Sequence, residues 1–106
     1  MNNQEALQAQ VNSIAEMLTS GEIDSDNPEM DISDWLSESV LDIEYILDSR
    51  KNFIGARLLV AFGGPNIWVN TRNNLVEGYW WNIGATATYT DSLGLHEAVE
   101  ELSGPF

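Results

Sequence analysis

The apolar residues of this chain change period once, near residue 52, and that change limits the folds open to it. Before it they recur at helical spacing. Leu7, Val11, Ile14 and Leu18 fall at i, i+4, i+7 and i+11, which makes one apolar stripe over residues 3–19. Gly21 suits the C-terminal cap of that helix. A second stripe, Ile32, Leu36, Val40, Ile43 and Leu47, is widened by Trp35 and Ile46 and predicts a helix over 31–50. Asp31 or Ser33 would cap its start, and Arg50 and Lys51 would face the negative end of its dipole. Residues 22–30 are acidic, contain Pro28 and read as the loop between the two helices.

After the change the pattern is that of strands. Residues 53–62 are apolar and β-prone, and Gly63-Gly64-Pro65-Asn66 is a turn. Residues 67–72 alternate, Asn73-Asn74 suits the positive φ of a tight turn, and 75–81 form a third strand. Residues 85–90 are either a fourth strand or a continuation of the third. Asp91 or Ser92 opens a last helix over 91–102. The expectation is one α+β domain over 1–106. It has two N-terminal helices, an antiparallel meander of three to four strands and a C-terminal helix, with the helices on one face of the sheet. Leu7, Val11, Ile14, Leu36, Val40, Ile43, Leu47, Leu58, Val60 and Val69 are the expected core.

Charge narrows the functions. Seventeen Asp and Glu face four Lys and Arg, for a net charge of -13. Such a field repels nucleic acid and anionic membranes and attracts cationic surfaces. Direct nucleic-acid binding is therefore disfavoured, and the expected partner is a basic protein. With no cysteine, disulfides, thiolate zinc sites and Cys nucleophiles are excluded. The first ten residues are polar and do not read as a signal peptide, and no apolar run is long enough to span a bilayer. These features suit a cytoplasmic protein.

Ten of the acids lie between Glu22 and Asp48, with no Lys or Arg among them. On a helix over 31–50, Asp31, Asp34, Glu38 and Asp42 follow 3, 4, 4 spacing opposite the apolar stripe, with Leu41 and Tyr45 inside the acidic face. Carboxylates one turn apart stand about 5–6 Å apart along the axis, the scale of successive phosphates on a nucleic-acid strand. Like charges so placed destabilise a helix by a few tenths of a kcal/mol per pair, and no lysine is interleaved to relieve them. The same face also reads as ordinary solvated surface.

Asp24-Ser25-Asp26 begins like a calcium loop. Pro28 and Glu29 then stand at its fifth and sixth positions, where the sixth requires glycine. His96 is the only histidine and reads as an exposed or cap-side polar residue near Glu97 and Glu100. Gly63-Gly64-Pro65-Asn66 lacks the lysine and helix of a phosphate loop. Trp68, Tyr79, Trp80, Trp81 and Tyr89 form an aromatic group that packs the sheet, or else provides a hot spot or a homodimer contact. Trp80 and Trp81 are neighbours on a strand and should point to opposite faces.

Gly63-Gly64-Pro65-Asn66-Ile67-Trp68-Val69-Asn70-Thr71, with Glu77-Gly78-Tyr79-Trp80-Trp81, resembles a stretch in small proteins of bacteria, phages and other mobile elements. In size and charge the whole chain is similar to small acidic phage-encoded inhibitors, among them DNA-mimic anti-restriction and anti-CRISPR proteins. That resemblance implies a non-enzymatic inhibitor in the bacterial host cytosol, which blocks the nucleic-acid-binding surface of a defence complex. An immunity protein or antitoxin that neutralises a nuclease, and a small-ligand domain or enzyme using the aromatic sheet face, are the alternatives. The partner-binding residues expected on the first reading are Asp24, Asp26, Glu29, Asp31, Asp34, Glu38, Asp42 and Tyr45, with Trp68 and Trp80 as aromatic contacts. No catalytic residue, metal ligand or cofactor is expected.

Overall fold

A computed structural model describes residues 2–24 and 26–104. Ser25, in the middle of the calcium-like Asp24-Ser25-Asp26, lies outside the described residues, as do Met1, Pro105 and Phe106. The elements are α1 (Asn3–Ser20), α2 (Ile32–Ser39), β1 (Asp42–Leu47), β2 (Phe53–Ala61), β3 (Asn66–Asn70), β4 (Leu75–Trp80), β5 (Ile83–Thr88) and α3 (Leu95–Ser103). The five strands form one antiparallel sheet in the order β1-β2-β3-β4-β5.

Helix α1 forms where its stripe predicts. Asn2 caps it, accepting from the Glu5 N–H at 2.8 Å, and Gly21 ends it in a left-handed conformation, φ 79°, donating to the Met17 carbonyl. Leu7, Val11, Ala15 and Leu18 are its buried face. Full burial of Leu7, Val11 and Leu18 contributes about 1.5–3 kcal/mol each.

The expected long second helix is corrected. It stops at Ser39, Val40 is extended (φ -94°, ψ 121°), and residues 42–47 are a strand. The chain leaves the helix because Val40, Ile43, Tyr45 and Ile46 are β-branched or aromatic, and because β2 offers a partner. In the pairing Ile43 lies opposite Leu58, and Tyr45 opposite Ala56. Arg50 and Lys51 therefore sit in the β1–β2 turn, not at a helix end, and Lys51 takes a positive φ of 67°. The sheet thus has five strands, not three or four. Residues 83–88 are a separate strand, and α3 begins four residues later than expected because residues 91–94 serve as its cap.

Register sorts the side chains into two faces. Ile43, Leu58, Val69, Val76 and Ala87 line up across all five strands on one face. The three helices cover it, so that Leu7, Val11, Trp35, Leu36, Leu95 and Val99 share one core with Leu58, Val69 and Val76. Of the expected core, Leu7, Val11, Leu36, Leu58 and Val69 are buried, while Ile14, Val40, Ile43, Leu47 and Val60 are half-buried.

Two glycines allow the close approaches. A Cβ on Gly78 would lie 2.7 Å from Val11 Cγ2 and 2.8 Å from Leu7 Cδ1, so α1 rests on bare sheet backbone. A Cβ on Gly55 would lie 2.9 Å from the Arg72 backbone. Gly78→Ala should lower stability by about 1–3 kcal/mol, because two buried side-chain ends must shift. Gly55→Ala should lower it more, because backbone must move. Urea titration of the two variants checks the size and the order.

Candidate interaction surfaces

Each sequence-predicted acid is exposed, but the folded chain divides them. Asp34 and Glu38 stand on α2, in the helix layer. Asp42 belongs to β1 and lies on the uncovered face of the sheet, in a row with Leu59, Trp68, Glu77 and Thr86. Tyr45, three residues on, takes the opposite face of the same strand, in register with Ala56. The single helical row Asp31, Asp34, Glu38, Asp42 is thereby corrected, together with the place of Leu41 and Tyr45 within it. The helix that would have aligned them ends before Asp42.

Several of these carboxylates hold local backbone. Asp31 and Asp34 form a reciprocal capping box at the start of α2, with N–H to carboxylate distances of 3.0 and 3.1 Å. Asp24 accepts from the Asp26 N–H at 2.9 Å, and Asp42 from the Ile43 N–H at 2.9 Å. Asp91 accepts from the N–H groups of Leu95 and His96 and so opens α3. Asp48 organises the β1–β2 turn, accepting from the N–H groups of Arg50 and Asn52 and from the Asn52 side-chain amide. Those bonds, the ones from Asn52 foremost, hold the Asp48 carboxyl below its ordinary value of 3.8. Glu29 is exposed in the loop before α2.

The uncovered sheet face carries an aromatic and ionic group that sequence periodicity could not assemble. Arg57 lies 4.3 Å over the Trp68 ring, 3.2 Å from Glu44 Oε1 and 4.0 Å from Glu77 Oε2. The Tyr79 hydroxyl donates to Glu77 Oε2 at 2.9 Å. That bond is the main cause of a raised Tyr79 pKa, with burial and the Glu77 charge adding and Arg57 opposing. Alternation within 53–62, 67–72 and 75–81 sorts each strand's own side chains, and register then puts Arg57, Trp68 and Glu77 on one face. Trp68 thus belongs to this group, whereas Trp80 packs at the edge of the core.

Trp80 and Trp81 do not sit on opposite strand faces as expected. Strand β4 ends at Trp80, and Trp81 with Asn82 makes a two-residue turn between the paired Trp80 and Ile83. Trp81 has φ 55°, a conformation that glycine ordinarily supplies at the first position of such a turn. A bulky residue held there stores about 1–3 kcal/mol of backbone strain. Its ring is 82% exposed and stacks on Trp80 at 5.6 Å between centroids.

His96 is half-buried, not simply exposed. Its ring lies 5.0 Å from Phe53, and Nδ1 is 3.3 Å from the Thr71 hydroxyl. Thr71, which is buried, also accepts from the Ala56 N–H at 2.9 Å. These contacts build packing between α3 and the sheet. Tyr89 is buried and donates to the Asn70 carbonyl; burial, with the Asp91 charge adding, pushes its phenol well above the ordinary range. A depression of about 880 Å³ runs between α1 and β5, lined by Asn12, Glu16, Thr19, Glu22 and Thr88 among others. Among the described residues, no three His, Asp or Glu side chains converge to hold a metal ion. No described helix is long and apolar enough to cross a membrane. Comparison with protein-family models, curated proteins and solved structures returns no match.

Asp48 gives a signed pH prediction. Its lowered pKa means that its contribution is present above the ordinary value of 3.8 and is lost as pH falls through the folded value. Asp48→Ala should lower Tm at neutral pH, and the gap to the parent should close as the solution is acidified. Asp48→Asn, which keeps an acceptor oxygen, should lose less. Thermal melts across the acid range check both.

Proposed function

We propose that this protein is an acidic inhibitor that occupies the nucleic-acid-binding surface of a basic protein, such as a defence nuclease complex. One observation carries the reading. All ten acids between Glu22 and Asp48 are exposed, and of these only Glu44 has a basic group within ion-pair distance among the described residues. A chain under no demand for negative potential relieves such crowding with lysine, because self-repulsion destabilises the compact state.

The surface falls into two parts. One comprises Asp24, Asp26, Glu29, Asp31, Asp34 and Glu38 of the loop and α2. The other is Asp42 and Glu44 of β1, which alternate onto one face about 6.6–6.8 Å apart. The strand thus keeps a spacing on the scale of successive phosphates where the helical row does not. A groove rich in Lys and Arg would be drawn to both parts by long-range attraction.

Two separate variants test this, Asp34→Asn with Glu38→Gln on α2, and Asp42→Asn with Glu44→Gln on β1. The amides keep acceptor oxygens, so the caps and the strand should persist. With a partner captured from the host, at least one variant should slow association about tenfold. Binding should weaken as salt rises, since exposed charges are screened over about 8–10 Å at moderate ionic strength. Duplex DNA or RNA should compete for the partner. Unchanged association by both variants, with no competition by nucleic acid, would reduce the acidic surface to a solubility feature.

A further inference from the structure

Two stretches at one end of the sheet are uncharged, although the chain carries -13 overall. Residues 61–67 and 78–84 contain no charged side chain. Antiparallel pairing brings both stretches to the same end of the sheet, with Asn66 opposite Tyr79 and Trp80 opposite Ile83. Trp80 reaches across to the β2–β3 turn, where its Nε1 would lie 3.7 Å from a Cβ on Gly64. From this end project Phe62, Tyr79 and Trp81, exposed by 76%, 45% and 82%.

We propose that this aromatic end is a self-association surface, pairing with the same end of a second copy of the chain about a two-fold axis. Charge selects that occupant. A cationic partner is drawn to the acids and gains little from a region without them. A second copy is repelled by the exposed acids, whereas at this end Glu77, beside Tyr79, is engaged by the Tyr79 hydroxyl and lies 4.0 Å from Arg57. The other strongly exposed aliphatic side chains do not qualify, since Leu41 adjoins Asp42, and Leu102 follows Glu100 and Glu101.

The backbone supplies a second argument. Trp81 occupies a positive-φ turn position that glycine fills without strain, and most of its ring is left in water. The β4–β5 turn needs the positive φ but neither a tryptophan there nor, beyond its stack on Trp80, an exposed ring. Both are accounted for if the ring is buried against a second copy, where Trp is the most effective contact residue. Aromatic side chains of about 150–250 Å² each, at these exposures, supply somewhat under ~500 Å² per copy, against ~800 Å² for a standard interface. The pairing is therefore weak and depends on concentration.

The test is sedimentation velocity of the purified chain over an about hundredfold concentration range, at low and at raised salt. The expected result is a monomer–dimer equilibrium that strengthens with salt, because screening removes repulsion between the copies. This is the opposite of the salt response expected for capture of a basic partner, so each idea can fail without the other. Trp81→Gly and Phe62→Ser should abolish the dimer. Trp81→Gly should melt at or above the parent temperature, which separates lost association from lost folding. A blue shift of tryptophan emission should accompany dimer formation in the parent. A chain that stays monomeric at every concentration and salt, or a dimer unaffected by both substitutions, would overturn the proposal.

Discussion

The structure depends on α1 lying directly on the backbone of β4 at Gly78. With no side chain at that position, Leu7 and Val11 can descend into the sheet, and both are fully buried there. The helix is then secured along β5 by side chains that reach strand carbonyls. Gln4 donates to Gly84 O at 2.9 Å and Gln8 to Thr86 O at 3.0 Å, while Thr19 accepts from the Thr90 N–H at 3.0 Å. The two glutamine bonds use acceptors of an edge strand that would otherwise stay open to pairing with another chain. The helix thus completes the core and blunts one edge of the sheet. At the other edge, exposed Asp42 and Glu44 and the register shift between Ile46 and Leu47 discourage strand addition.

Because the helices share one face, everything else is set out on the other face and at the ends. The uncovered face is not a bare apolar sheet. Arg57, one of only four basic residues, is held between Glu44, Glu77 and Trp68, which ties β1 to β4 across two intervening strands. The pair with Glu44 is largely exposed and contributes little to stability by itself. Its effect is to place the chain's best-held cation at the centre of the sheet face, where it offsets the acids of that face and none of those on α2.

The long apolar stripe of 32–47 misled for a definite physical reason. Ile43 and Leu47 fit a helical repeat with Leu36 and Val40, yet Ile43, Tyr45 and Leu47 also alternate as a strand does. Local pattern cannot choose between the two. The choice falls to β2, whose Ala56 and Leu58 would otherwise have no neighbour on that side. With the choice of strand, the acids separate into two groups, and Asp42 leaves the helical row for the open face. The tryptophans misled similarly. Trp80 and Trp81 look like adjacent strand residues, and only the pairing of Trp80 with Ile83 makes Trp81 a turn residue.

The sequence by itself determined the charge, the absence of cysteine chemistry, helix α1 with its C-terminal cap, and the run of strands from β2 to β4. Each of these follows from composition, from a local period or from turn residues that act within a few positions of themselves. Only the tertiary structure decided that residues 42–47 are a strand. It alone brought Arg57, Trp68 and Glu77 together, and it alone gathered Phe62, Tyr79 and Trp81 at one end of the sheet. Those outcomes depend on strand register and on competition between elements for the same buried face. Both are settled by contacts between residues far apart in the chain, which no local pattern encodes.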